Sequence, residues 1–151
     1  ILQELIISSL TIKKYFIEKD EFDTDYRLLL NYGHTFGHAI EAVTNYSIPH
    51  GVAVSHGMNM ANAWSFQKNY ITSQQFLSLK TVLNSIWDDI IPQKIEIDQF
   101  ISVLKMDKKC IGDKLRLVLT KGVGKMFLET TPIEPSFIDF LKKYNNDYFG
   151  G

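Results

Sequence analysis

Apolar residues recur at helical spacing over most of the chain. In residues 1–19, ILQELIISSLTIKKYFIEK, the side chains of Leu2, Leu5, Ile6, Leu10, Ile12, Phe16 and Ile17 share one broad arc of a helical wheel, which predicts a helix with a buried face. The polar run DEFDTD breaks the pattern, and a second helix is predicted from near Asn31 or Gly33 to about Thr44. NYSIP reads as a loop. From about Gly51 apolar positions return at Val54, Met58, Ala61 and Trp64, again at helical spacing. Further helices are predicted over about 73–88 and 97–108, separated by the region of Pro92. The period then shortens to two. KLRLVLTKGVGKMFLE carries two short alternating runs around KGVG and predicts a β-hairpin with a glycine-bearing turn. A last helix follows Pro135, and the tail NNDYFGG is expected to fray.

These elements describe a mainly α, multi-helical domain with one small β-hairpin. There is no internal repeat and no low-complexity linker, so residues 1–151 are expected to form one continuous domain. No GxGxxG loop follows a strand, which excludes a dinucleotide-binding fold within these residues. Composition narrows the class without naming a chemistry. With 45% hydrophobic residues, 22% charged residues and a net charge of -1, the chain has neither the signature of disorder nor the basic excess of a nucleic-acid binder. A single cysteine, Cys110, fits a reducing, cytoplasmic compartment. No stretch reaches the roughly 20 apolar residues that span a bilayer, and no signal-peptide pattern opens the chain, so no membrane partner is expected. The first residue is Ile and leads straight into a helical pattern, from which a longer parent protein is expected.

The chemistry concentrates in NYGHTFGHAIEAVTNYSIPHG, residues 31–51, which holds three of the four histidines. His34 and His38 are four apart on a predicted helix and therefore share one face, a spacing that serves a metal, an acid/base pair or a solvated surface. His50 lies 12 residues beyond His38, after Pro49, where the next helix can turn a third imidazole toward the first two. Three neutral imidazoles suit zinc. A metalloprotease of the HExxH type is excluded, because Thr35 occupies the place of its general base. His56 lies off this face and reads as a surface or packing residue.

Other residues suggest an anionic ligand. Lys13 falls near the centre of the apolar arc of the first helix, where its ammonium needs an acidic partner, a bound anion or a cleft, or else snorkels to an edge. Arg27 and Asn31 stand four apart and lead toward His34. The guanidinium is a planar fork for phosphate or carboxylate, while Asn31 serves equally as a hydroxyl partner or a helix cap. Lys108 and Lys109 add charge ahead of the hairpin, as ligand contacts or as a solvated helix end.

Taken together, DEFDTDYRLLLNYGHTFGHAIEA, IPHGVAV with its following GM, DKKCIGDKLRLVL and GVGK resemble the C-terminal, helical half of the 3-dehydroquinate synthase family of sugar phosphate cyclases. The resemblance covers most of the chain and implies the following. His34 and His50 are metal ligands for zinc or cobalt, and His38 is an active-site residue off the metal. Lys13, Arg27, Asn31 and His38 contact substrate, with Lys13 and His38 also catalytic, and one of Lys108 and Lys109 joins them. The reaction converts 3-deoxy-D-arabino-heptulosonate 7-phosphate to 3-dehydroquinate and phosphate in the shikimate pathway of aromatic amino acid biosynthesis. Bound NAD takes up and returns a hydride. The family's third metal ligand is a glutamate tens of residues before the catalytic lysine. Only 12 residues precede Lys13, so neither Glu4 nor Glu18 is that ligand. The NAD-binding N-terminal domain is absent too, so these 151 residues are not expected to turn over alone. A cytoplasmic homodimer is the expected assembly of the whole enzyme. Val52 and Asp25 depart from the family pattern and keep two alternatives in view: a cyclase of another sugar phosphate, such as a 2-deoxy-scyllo-inosose synthase, or a non-catalytic helical remnant.

Overall fold

The computed structural model describes residues 1–22, 24–87, 90–107 and 110–150, so Lys108 and Lys109 lie outside the described residues. The chain divides into two compact units, Ile1–Asn31 and Tyr32–Gly151. The first holds helix α1 (Leu2–Lys19) and a 3-10 helix (Tyr26–Asn31). The second holds α2 (His34–Val43), α3 (His50–Gln67), α4 (Ser73–Trp87), α5 (Ile97–Met106), strands β1 (Cys110–Ile111), β2 (Lys114–Thr120) and β3 (Met126–Pro132), and α6 (Pro135–Tyr148). This is the mainly helical architecture expected from the periodicity.

Within the first unit the polar connection is more ordered than its composition suggests. The Asp20 carboxylate accepts N–H groups from Thr24 (3.1 Å), Asp25 (2.8 Å) and Arg27 (3.0 Å), which turns the chain into the 3-10 helix. Tyr26 stacks on Phe16 at 4.8 Å, and Lys19 sits over the rings of Tyr15 and Tyr26. The expected burial of the α1 arc is not found. The helix has no buried residue among those described, with Leu5 61% and Leu10 61% exposed and Phe16 and Ile17 half-buried. Lys13 is exposed along with it. Periodicity identifies an apolar face but not what covers it.

The second unit is built around α3, which buries residues on nearly every side, from Ala53 and Val54 through Met60 and Ala61 to Trp64. Its core is completed by Phe36, Ala39 and Ile40 of α2, Phe100 and Leu104 of α5, Leu115, Leu117 and Leu119 of β2, and Phe137, Phe140, Leu141 and Tyr144 of α6. Trp64 meets Phe137 edge to face at 5.1 Å. Local signals set several boundaries. Thr72 and Gln75 form a reciprocal capping box at the start of α4, with N–H to side-chain distances of 2.8 and 3.2 Å. Pro135 occupies the first turn of α6.

The hairpin is confirmed as antiparallel β2–β3, with Leu117 opposite Glu129, and its turn places Gly122 and Gly124 at positive φ. Three details differ from expectation. Two-residue β1 extends the hairpin to a three-stranded sheet in the order β1-β2-β3. The second helix begins at His34, preceded by Gly33 at φ 77°, and the residues before it are a separate 3-10 helix. As far as Gly150 the tail is not frayed: α6 runs to Tyr148, Phe149 is buried, and the Asn145 amide bonds both the N–H and the carbonyl of Ile95 at 2.9 Å. Among the described residues no helix is long and apolar enough to cross a membrane.

Candidate metal centre

α2 carries His34, His38 and Glu41 at positions i, i+4 and i+7, so one stripe of the helix presents two imidazoles and a carboxylate. The chain then reverses. The Glu41 carbonyl accepts the Tyr46 N–H at 2.7 Å, and Asn45 and Tyr46 both take positive φ (51° and 57°). Ile48 is buried, Pro49 is extended, and α3 starts at His50. This tight reversal brings the third imidazole onto the stripe.

Small residues allow α2 and α3 to meet. A Cβ added to Gly57 would lie 2.1 Å from the Gly33 carbonyl oxygen and 2.7 Å from the Gly37 nitrogen, so only hydrogen fits there. Gly33 itself has φ 77° and faces the α3 backbone at Val54 and Met58. The two helices therefore touch backbone to backbone beside the histidines.

The result is a triangle of rings. The His34–His38, His34–His50 and His38–His50 centroids are 5.5, 5.6 and 5.7 Å apart. His34 donates from Nδ1 to the Tyr32 carbonyl at 3.2 Å. His50 donates from Nδ1 to the Glu41 carboxylate, whose two oxygens are each 3.1 Å away. Carbonyl and carboxylate oxygens only accept, so both Nδ1 atoms carry a proton, and in a neutral ring of this form the ligand atom is Nε2. His38 is exposed and stands against both other rings. Ligand atoms of His38, Glu41 and His50 all lie within 4.8 Å of one another. These two imidazoles and one carboxylate are donors of a kind that suits a zinc- or cobalt-type ion, and the His34 ring stands beside them.

Glu41 was not singled out from sequence. Its partner is nine residues away across a loop whose positive-φ turn no spacing rule reveals. His56 is separate from the triangle: it is buried, stacked on Trp87 at 4.3 Å, and donates from Nε2 to the Ile90 carbonyl at 2.8 Å. Burial lowers its pKa, as befits a neutral packing residue. Behind the site, Tyr32 donates its hydroxyl to the Asn62 side chain, and burial raises the Tyr32 pKa. In the first unit, Arg27 donates from Nη1 to the Glu21 carbonyl at 3.1 Å, and Asn31 closes the 3-10 helix.

Comparisons with known proteins bear on this arrangement. A family model described as 3-dehydroquinate synthase C-terminal matches residues 1–110. The 3-dehydroquinate synthase of Dictyoglomus thermophilum is 38% identical over 143 residues, covering 94% of this chain and 40% of that protein. That of Campylobacter concisus is 34% identical over 145 residues, covering 95% and 42%. The chain thus spans about 40% of the length of the curated relatives it matches. A crystal structure of 2-deoxy-scyllo-inosose synthase complexed with carbaglucose-6-phosphate, NAD+ and Co2+ superposes with a TM-score of 0.81 at 26% identity, over 98% of this chain and 41% of that one.

Proposed function

Because the chain belongs to the 3-dehydroquinate synthase C-terminal family, we propose that it is the metal- and substrate-binding part of a 3-dehydroquinate synthase, which cyclises 3-deoxy-D-arabino-heptulosonate 7-phosphate with loss of phosphate. One observation supports the reading: the rings of His34 and His50, which the resemblance aligns with family metal ligands, stand 5.6 Å apart, and His50 gives its Nδ1 proton to the Glu41 carboxylate, which leaves Nε2 as the ligand atom of its neutral ring. His34 and His50 hold the metal, with a third ligand outside these residues. The metal, when bound, polarises a substrate hydroxyl, and NAD supplies the hydride acceptor.

The chain's own residues have the remaining tasks. His38, exposed beside the two ligands, contacts substrate and exchanges a proton through its ring nitrogen. Lys13 and Arg27 bind the phosphate and carboxylate oxygens, and Asn31 bonds a hydroxyl. Lys108 and Lys109 are proposed as further anion contacts. The substrate is a small sugar acid phosphate, and the whole enzyme is read as a cytoplasmic homodimer in the shikimate pathway. A second reading, cyclisation of a different sugar phosphate, is favoured by the structural likeness to 2-deoxy-scyllo-inosose synthase together with Val52 and Asp25.

The test joins this chain to the N-terminal part of the Dictyoglomus thermophilum relative and measures phosphate release with NAD and zinc. Release from the heptulosonate phosphate, lost in His34→Ala and His50→Ala, is the expected result. Release from glucose 6-phosphate or sedoheptulose 7-phosphate alone favours the second reading. No release from any of them, with no zinc bound by the 151-residue chain, points to a non-catalytic remnant.

A further inference from the structure

The geometry points to Glu41 as a positioning residue that fixes the His50 ring in its Nδ1–H form and so presents Nε2 to the metal; this rests on the metal-site reading above. The Glu41 side chain is only 12% exposed, and its carboxylate receives the ring symmetrically, with both oxygens 3.1 Å from Nδ1. An imidazole at the first residue of a helix, 57% exposed in its side chain, is otherwise free to turn about two side-chain bonds and to exchange its proton between nitrogens. A carboxylate at Nδ1 removes both freedoms and makes Nε2 a stronger donor. Glu41 is itself anchored. It lies in the last turn of α2, and its own carbonyl takes the Tyr46 N–H at 2.7 Å, so the residue that orients His50 also closes the loop leading to it.

The rival role is direct ligation, since the Glu41 oxygens lie within 4.8 Å of ligand atoms of His38 and His50. The two roles differ in what happens without metal. A positioning residue sets the His50 tautomer in the metal-free protein, whereas a ligand has no need to do so.

The experiment uses the whole 151-residue chain. Long-range 1H–15N spectra of the histidine rings are recorded without metal above neutral pH, and zinc affinity is measured by calorimetry, for the unaltered chain, Glu41→Ala and Glu41→Gln. In the unaltered chain His50 is expected to carry its proton on Nδ1. In Glu41→Ala the Nε2–H form gains and zinc affinity drops by about tenfold to a hundredfold. Glu41→Gln retains an acceptor oxygen of the same shape, so it keeps the Nδ1–H form, loses less affinity, and guards against misfolding of the alanine variant. An unchanged His50 tautomer in Glu41→Ala overturns the inference, as does a changed tautomer with unchanged zinc affinity. An Nδ1–H form maintained in Glu41→Gln with zinc binding abolished assigns Glu41 as a ligand and overturns positioning. If neither the unaltered chain nor its fusion to the N-terminal part of the relative binds zinc, the metal-site reading itself falls and takes the metal half of the inference with it; the metal-free tautomer tells that failure apart from a failure of Glu41.

Discussion

Asp20 draws the amides of Thr24, Asp25 and Arg27 onto one carboxylate, and these hydrogen bonds to its charged form lower its pKa to about 2. In an unfolded chain an aspartate titrates near about 3.9. The turn is therefore fully supported above that value and loses the support as pH falls toward the folded value. The protection factors of the Thr24, Asp25 and Arg27 amides, each rate being divided by the intrinsic rate at the same pH, are expected to fall only in that window, and Asp20→Ala to show low protection at every pH. The contrast between Asp20 and Glu41 explains what sequence alone discloses at this scale. The histidines were legible because α2 has a fixed period and because Pro49 marks where the next helix begins. Glu41 was not, because its pairing with His50 depends on two left-handed residues at Asn45 and Tyr46. The buried stack of His56 on Trp87 was equally hidden, since it joins residues of α3 and α4 that no local pattern relates.

At the scale of elements, the contact of α2 with α3 is the part of the fold on which the site depends. Gly57→Ala sets a methyl carbon against the Gly33 carbonyl and the Gly37 nitrogen, both backbone atoms that cannot rotate away. The expected cost is about 3 kcal/mol, the upper part of the range for overpacking, read from the urea midpoint at constant slope. Zinc affinity should fall with it, because the helices bearing His34 and His50 are forced apart. The helices and the hairpin were legible from their periods. The partner of a face was not. The α1 arc has the spacing of a buried surface yet no buried residue, whereas the polar tail NNDYFGG, without an apolar period, ends α6 and is held by the Asn145 amide on the Ile95 backbone. Those two hydrogen bonds act together with the buried Phe149 ring, which packs against Tyr144 and His56.

For the molecule as a whole, a bound ion is a stabiliser by mass action. Zinc or cobalt at about a hundred times its dissociation constant adds about 2.7 kcal/mol to unfolding and raises the melting temperature accordingly. That rise is expected in the unaltered chain and absent in His34→Ala and His50→Ala, measured by scanning calorimetry with and without chelator. The division of the chain at Asn31 carries a different message. Among the described residues, every buried side chain and every histidine follows that point, whereas Lys13, Arg27 and Asn31 precede or mark it. A deletion of the first unit therefore removes the groups assigned to the sugar's anionic ends, apart from Lys108 and Lys109, and leaves all the imidazoles with an intact core. Chain residues 32–151 thus carry the whole histidine cluster on a core that, among the described residues, owes no buried side chain to residues 1–31.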